Sequence, residues 1–213
     1  IKMKRKELKI LGLSYSQTQM GSYVCVLSEK KGGRKIPLII KTNEAQKIAL
    51  ELEGIKSSRP LIHDVVKSIC DSFSLDIQEV FIYSILEGIF YSKIVLSNGI
   101  EDFEIDCSVG DSLALSVLFK CPIWTTSEIL DTVGIIINDD GSTKESDVHE
   151  IEDDDYEDDY EDDFDTFIDD GKKERIVSIE DLEKLMNNAI ENEEYEIAAE
   201  LRDRITKLKD SDN

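Results

Sequence analysis

The sequence lacks the marks of several common protein classes. Its four cysteines are widely spaced and form no CxxC pair, so it signals neither a zinc site nor a disulfide framework. No apolar run reaches about 18 residues, the length at which a membrane-spanning helix is suspected. The basic segment IKMKRKELKI also lacks the apolar core of a signal peptide. These absences predict a cytoplasmic protein that does not enter a membrane.

Positive charge is scarce, and the deficit lies mainly in one segment. The formal net charge is -22, yet residues 1–144 carry 17 Lys and Arg against 19 Asp and Glu. This near-neutral part argues against binding nucleic acid through bulk charge, which needs a basic face. Residues 145–170, the acidic tract, carry 16 acids and no Lys or Arg. The acidic tract is predicted to be a disordered linker because its charges repel and it has almost no aliphatic residues.

Apolar patterns outside the acidic tract predict strands and helices in the order βββααβββαβα. The predicted strands cover residues 8–16, 22–28, 35–40, 77–85, 89–97, 100–108 and 122–126. Asn98-Gly99 is typical of a two-residue hairpin turn. Grouped strands favour an α+β fold with a mixed, largely antiparallel sheet. We therefore expect an α+β domain at 1–137, a linker at 138–177 and a helical hairpin at 178–213.

Three predicted helices of this domain start at residues that are typical of helix N-termini. The first follows Thr42 and Asn43, and its apolar residues recur at helical spacing. The second starts at Pro60 and carries one apolar face. The third is capped by Ser108 with Asp111. The apolar face of the second helix consists of Ile62, Val66, Ile69 and Phe73.

Two stretches, TNEAQKIALELEGIKSSRPLIHDVV and FEIDCSVGDSLALSVLFKCPIW, resemble the bifunctional nuclease domain, a family credited with DNase and RNase activity. The resemblance covers roughly residues 3–137 and includes EAQ, LEG and RPLxHD in order. It implies an α+β domain, often a homo-oligomer, that hydrolyses the phosphodiesters of DNA or RNA.

Phosphodiester cleavage needs groups that neutralise developing charge and activate water, and carboxylates that hold Mg²⁺ or Mn²⁺ supply both. In the family context, the predicted catalytic residues are Glu44, Glu53, His63, Asp64, Asp106 and Asp111. Asp64, Asp106 and Asp111 are the predicted metal ligands, and Arg59 is predicted to bind phosphate. Helix starts at Asn43, Pro60 and Ser108 would frame an anion site if they converge.

A structural alternative exists for each of these residues. Glutamates at the border of an apolar stripe are often solvated helix surface. Asp64 could simply favour the helix dipole, Arg59 could pair with a surface acid, and His63 could satisfy a backbone carbonyl.

Residues 178–209 have apolar residues spaced 3-4-3 on either side of the polar turn ENEE, which predicts a helical hairpin. Ser178 with Asp181 would cap its first helix, Asn192 its second, and Glu200 would pair with Arg204. Some thirty residues are too few to be stable alone. We therefore expect an apolar surface that extends toward another chain, formed by Leu185, Ile190, Tyr195 and Ile197.

The segment YEIAAELRDRI resembles the UVR motif, the hairpin through which UvrB pairs with UvrC and which also occurs in regulators of Clp proteases. The resemblance implies self-association or binding to a UVR-type partner; a homodimerising clasp is the structural alternative. The predicted partner-binding residues are Leu182, Met186, Tyr195, Ala198, Leu201, Arg202 and Ile205. Two hypotheses follow: a metal-dependent nuclease with a docking hairpin, or a non-catalytic oligomeric adaptor in DNA repair or Clp-type proteolysis.

Overall fold

The computed structural model describes residues 4–16, 19, 21–56, 59–137, 143–144 and 177–211. The strands are β1 (Arg5–Tyr15), β2 (Ser22–Glu29), β3 (Arg34–Lys41), β4 (Asp76–Leu86), β5 (Ile89–Ser97), β6 (Asp102–Cys107), β7 (Ile123–Thr126), β8 (Ile135–Ile137) and β9 (Thr143–Lys144). The helices are α1 (Thr42–Leu52), α2 (Ile62–Ser72), α3 (Val109–Phe119), α4 (Ser127–Val133), α5 (Ile179–Glu191) and α6 (Tyr195–Ser211). The acidic tract and its predicted disorder lie outside the described residues. Within the described ranges, no helix is long and apolar enough to cross a membrane.

The strands form one mixed sheet in the order β6-β5-β4-β7-β1-β2-β3-β8-β9. The β4–β7 pair is parallel and the other neighbours are antiparallel. The predicted α+β fold is confirmed, with β2 and β3 paired as a hairpin and β4, β5 and β6 as a meander. The short strands β8 and β9 were not predicted.

The two hairpin turns of the meander differ in length. Glu87 and Gly88 both have positive φ, 51° and 73°, between the paired residues Leu86 and Ile89, as a two-residue turn requires. The two-residue turn predicted at Asn98-Gly99 is wrong, because pairing resumes only between Ser97 and Asp102. The Asn98 side chain instead accepts hydrogen bonds from the backbone N–H groups of residues 100 and 101, at 2.9 and 2.8 Å.

Helices α1 and α3 pack against one face of the sheet and bury the main core. Fully buried side chains of this layer include Leu27, Ile48, Ile82 and Leu113. We call the opposite face of β4, β5, β6 and β7, which carries Phe81, Tyr83, Tyr91, Lys93 and Trp124, the open face. Side chains alternate between the two faces along each strand, so register decides which residues reach the helices.

The apolar side of α2 is exposed. Ile62, Ile69 and Phe73 are 62%, 51% and 72% exposed, and only Val66 of the predicted apolar face packs against the core. The apolar spacing therefore predicted the helix correctly. It did not show that most of the helix's apolar side would be left exposed in this chain.

The C-terminal hairpin packs on its own α+β domain. Leu185 and Ile197 are buried at 1% and 4% exposure and belong to the core that α1 shares, so the prediction that they face another chain is wrong. Ile190 and Tyr195 do remain exposed. Polar contacts fix the packing: Asp181 Oδ1 accepts from the Tyr15 backbone N–H at 2.9 Å.

Two local predictions for the hairpin also change. Asn192 ends α5, and α6 begins at Tyr195, so Asn192 does not cap the second helix. The predicted Glu200–Arg204 pair is absent, because the Arg204 guanidinium binds the Glu53 carboxylate of α1 at 2.6 and 2.7 Å. The Ser178–Asp181 cap is confirmed.

Candidate functional site

The first turns of α1, α2 and α3 converge on one point. Glu44 in α1 packs directly over Gly110 in α3, where any Cβ would overlap the Glu44 carboxylate. His63 in α2 places Nε2 3.1 Å from Oδ1 of Asp111 in α3. Helix N-termini carry partial positive charge, so their convergence favours negative groups at this point. We call Glu44, His63 and Asp111 the helix-start cluster.

Local capping explains why Asp111 is held in place. The Ser108 hydroxyl accepts from the Asp111 backbone N–H at 3.2 Å and donates to Asp111 Oδ2 at 2.7 Å. This N-cap satisfies one of the free N–H groups at the start of α3 and confirms the cap predicted from sequence. The carboxylate is thus fixed on one side by Ser108 and on the other by His63.

Burial differs sharply within the helix-start cluster. Glu44 and His63 are 4% and 3% exposed, whereas the Asp111 side chain is 43% exposed. Because a carboxylate accepts, the contact with Asp111 places the ring hydrogen of His63 on Nε2. The buried Nδ1 has no hydrogen-bond partner among the described residues. Solvent therefore reaches the cluster through Asp111.

Burial raises the pKa of Glu44 above its ordinary value. The hydrogen bond from the Lys41 backbone N–H, at 2.9 Å, lowers this pKa, and the nearby charge of Asp111 raises it. The net effect favours the protonated carboxyl. A carboxyl group whose pKa is raised by burial is a common component of acid–base sites.

Asp64 contacts Lys47, whereas its neighbour His63 contacts Asp111. Its Oδ1 lies 2.6 Å from Lys47 Nζ, and its Oδ2 accepts from the Leu61 backbone N–H at 2.9 Å. Lys47 is buried and also binds Glu51 at 2.8 Å. Sequence reasoning missed Lys47, although its i, i+4 spacing to Glu51 marks that pair.

Glu53 and Arg59 contact residues of α6 rather than the helix-start cluster. Glu53 is held by Arg204 of α6, which makes it part of the hairpin interface. The Arg59 side chain is 84% exposed and lies 3.6 Å from Glu196. The alternative in which Arg59 pairs with a surface acid describes this arrangement.

Asp106 lies on the wrong face of the sheet for the predicted metal site. Ser92, in register with Cys107, contacts Ser112 of α3, so the next pair, Lys93 and Asp106, points to the open face. There Asp106 Oδ1 accepts from the Tyr83 hydroxyl at 3.1 Å.

The predicted Mg²⁺ or Mn²⁺ ligands, Asp64, Asp106 and Asp111, are consequently not assembled within this chain. Across the described ranges, no three His, Cys, Asp or Glu side chains are arranged to hold a metal ion. The described residues do not bring these three carboxylates together, and their role as metal ligands stays a prediction.

The fold defines an α+β domain, in which three helix starts converge, joined to a helical hairpin. The bifunctional nuclease domain matches residues 25–138, and the UvrB/UvrC motif matches residues 177–211. The chain belongs to the bifunctional nuclease domain family and carries a C-terminal UvrB/UvrC motif. Both resemblances predicted from the sequence are confirmed.

Two similar curated proteins come from Mycobacterium tuberculosis. They are the "Uncharacterized protein MT1877" of strain CDC 1551 / Oshkosh and the "Uncharacterized protein Rv1829" of strain ATCC 25618 / H37Rv. Each is 30% identical over 134 residues, which cover 63% of this chain and 79% of the relative.

Proposed function

We propose that this protein hydrolyses phosphodiester bonds of DNA or RNA at the helix-start cluster. Membership of the bifunctional nuclease domain family supports the reaction class. The single observation that carries the site is the 3.1 Å contact between His63 and Asp111 where three helix N-termini converge. Partial positive charge at these helix starts would favour a phosphate oxygen.

Asp111 is the catalytic candidate because it is the member of the cluster that solvent reaches. It would accept a proton from the attacking water as a general base. His63 and Glu44 act through Asp111 as positioning residues. His63 holds Oδ1 by a hydrogen bond, and burial raises the pKa of Glu44, which favours its uncharged form and so limits repulsion between the two carboxyl groups.

The test is cleavage of end-labelled single-stranded DNA and RNA by the full chain. Asp111→Asn removes the general base, so we expect the cleavage rate to fall by about 100-fold or more. The matched control is Asp71→Asn, an exposed acid of α2 that pairs with Lys67 and should leave the rate unchanged. Equal rates for the two variants would contradict the proposed site, and an inert native chain would contradict the proposed activity.

Dependence on Mg²⁺ or Mn²⁺ stays a prediction. The same cleavage assay, run with each ion and with a chelator, tests it directly. Loss of activity in chelator together with full activity of Asp64→Asn would support a metal held by groups other than the predicted set.

We also propose that the exposed side of α2 mediates self-association. Three large apolar residues there are more than half exposed, which costs free energy in water unless a partner covers them. Ile62 adjoins His63, so this interface would border the helix-start cluster. Light scattering should show an oligomer for the native chain and a smaller species for Ile69→Asp. A monomeric native chain at tens of micromolar would contradict the interface.

A UVR-type protein partner would meet only part of the hairpin surface that the sequence predicts. Four of the predicted contacts, Leu182, Ala198, Leu201 and Ile205, are buried in this chain's own core. A groove of about 340 Å³ between α5 and α6 remains open and includes Met186 and Arg202. Titration with a labelled UVR-type hairpin should be weakened by Arg202→Glu but not by the exposed control Lys207→Glu.

The adaptor alternative makes the opposite prediction for activity. A non-catalytic chain would bind a UVR-type partner through the hairpin groove and show no cleavage with any divalent ion. Cleavage that depends on Asp111 would exclude it.

A further inference from the structure

Aromatic rings form a continuous row on the open face of the sheet. The ring centroids of Phe81 and Tyr83 are 6.4 Å apart, and those of Tyr83 and Tyr91 are also 6.4 Å apart. Trp124 pairs in register with Phe81 on the adjacent parallel strand β7. Tyr91 is 40% exposed, so ring surface at the end of the row is open to solvent.

Two cations lie over this row. The Arg5 guanidinium is 4.5 Å from the Phe81 ring centroid and 5.3 Å from that of Trp124. Lys93 Nζ is 5.6 Å from the Phe81 ring and 5.5 Å from the Tyr83 ring. Cations over ring faces are attracted by the ring quadrupole, which holds both groups in place. We call these six residues, Arg5, Phe81, Tyr83, Tyr91, Lys93 and Trp124, the open-face platform.

A strand irregularity lies at the centre of the platform. Strand alternation places Phe81 and Tyr83 on the same face. Pairing between β4 and β5 then shifts between Ile82 and Ser84, so Tyr83 is an extra residue without a direct partner, and Ser84 pairs with Tyr91 on the open face. Tyr83 lies between the rings of Phe81 and Tyr91. Bulges are frequent next to binding and active sites.

We propose that the open-face platform binds single-stranded nucleic acid by stacking bases on its rings. Unpaired bases expose planar faces to such rings, whereas the faces of duplex bases are covered by their neighbours. Arg5 and Lys93 provide the charge that complements the phosphates between stacked bases. This inference rests on the proposed nuclease function and deepens it, because it names single-stranded nucleic acid as the substrate class.

The charge balance of the platform predicts how it binds. Glu79 pairs with Arg5 at 2.6 Å, and Glu104 pairs with Lys93 at 2.6 Å, so phosphates must compete with carboxylates. Stacking therefore supplies most of the affinity. If only these two cations meet phosphates, the slope of log K against log salt is no steeper than about -1.4.

The platform leads toward the helix-start cluster. The Tyr83 hydroxyl binds Asp106, and the chain then passes through Cys107 to Ser108 at the start of α3. β6 is an edge strand of the sheet, so a bound strand can pass around this edge from the open face to Asp111. Binding and cleavage thus occupy opposite faces joined at one edge.

Trp124 is the single tryptophan of the chain and reports on the platform directly. The full chain, kept in chelator to prevent metal-dependent cleavage, is titrated with single-stranded oligo(dT) and with a duplex of the same length while Trp124 fluorescence is followed. We expect saturable quenching by the single strand, at least tenfold weaker quenching by the duplex, and a salt slope no steeper than about -1.4.

Tyr83→Ala should weaken single-strand binding by about tenfold, because stacking on one ring contributes on that order. The matched control is Phe103→Ala, an exposed aromatic residue on the other face of β6, which should leave binding unchanged. Absence of saturable quenching, or equal affinity of the two variants, would overturn the platform. Binding by a chain that cleaves nothing would contradict the nuclease proposal alone, and cleavage without this binding would contradict the platform alone.

Discussion

On the helix-covered face of the sheet, ionisable groups are buried and hydrogen-bonded, whereas on the open face they lie beside aromatic rings within reach of solvent. His63 and Glu44 lose nearly all their solvent contact under α1, α2 and α3, while Lys93 and Tyr91 stay 22% and 40% exposed. A buried group can have its protonation tuned, and an exposed ring can meet a ligand without rearrangement. This contrast underlies our proposal that proton chemistry takes place on one face and ligand contact on the other.

The largest expected effect concerns packing on the helix-covered side. Leu201→Ala in the docked hairpin should lower the free energy of unfolding by about 2–5 kcal/mol, because a fully buried leucine leaves a cavity. Tyr83→Ala on the open face should lower it by less than about 1 kcal/mol. Urea unfolding followed by circular dichroism compares the two variants, and similar losses would break the distinction between the faces.

The next effect concerns the ion pair that ties the hairpin to α1. Arg204 and Glu53 should couple by about 1 kcal/mol in a double-mutant cycle, since both are only partly exposed and solvent screens the pair. Lys209 and Glu183, a more exposed pair within the hairpin, form the control and should couple by only a few tenths of that. Coupling that is larger in the control would contradict the role given to Arg204.

A smaller effect concerns the pH dependence of stability at Glu44. Its pKa is raised in the folded protein, chiefly by burial, so folding favours the protonated form. The ordinary pKa of this carboxyl is 4.5. The stabilisation from Glu44 is present below that pH and is lost as the pH rises through the folded pKa. Glu44→Gln stays neutral, so its stability relative to the native chain should improve from pH 5 to pH 8. A relative loss over that range would contradict the assignment.

The smallest effect is expected from the acidic tract, residues 145–170. Sixteen tethered negative charges should repel phosphates near the open face, so deletion of the tract should tighten oligo(dT) binding a fewfold at low salt. The difference should vanish as salt rises, because exposed charges are screened beyond about 8 Å at physiological ionic strength. If the full chain and the deletion variant bind oligo(dT) equally at low salt, the acidic tract acts only as a spacer.

Local features of this fold were predictable from sequence. The strands of the meander, the cap at Ser108 and the hairpin of α5 and α6 depend on neighbouring residues, and all are present. The sequence did not predict that the three helix starts converge; it predicted only that they would frame an anion site if they did. The contacts of Glu44 with Gly110 and of His63 with Asp111 fulfil it.

Features that depend on distant parts of the chain were not predictable. Alternation placed Asp106 opposite Cys107 on β6, but it could not say which side the helices would cover. Arg204 pairs with Glu53, 151 positions away, rather than with Glu200 in its own helix. Helical spacing likewise identified an apolar side on α2 without showing that this chain leaves it uncovered.

The most direct test of the division between the faces measures affinity and cleavage on the same two variants of the full chain. Trp124 quenching in chelator gives the affinity for oligo(dT), and single-turnover cleavage at saturating substrate gives the chemical rate. We predict that Asp111→Asn keeps the affinity and loses about 100-fold or more in rate, whereas Tyr83→Ala binds about tenfold more weakly and keeps the rate. If either substitution lowers both quantities together, the two faces do not divide binding from chemistry.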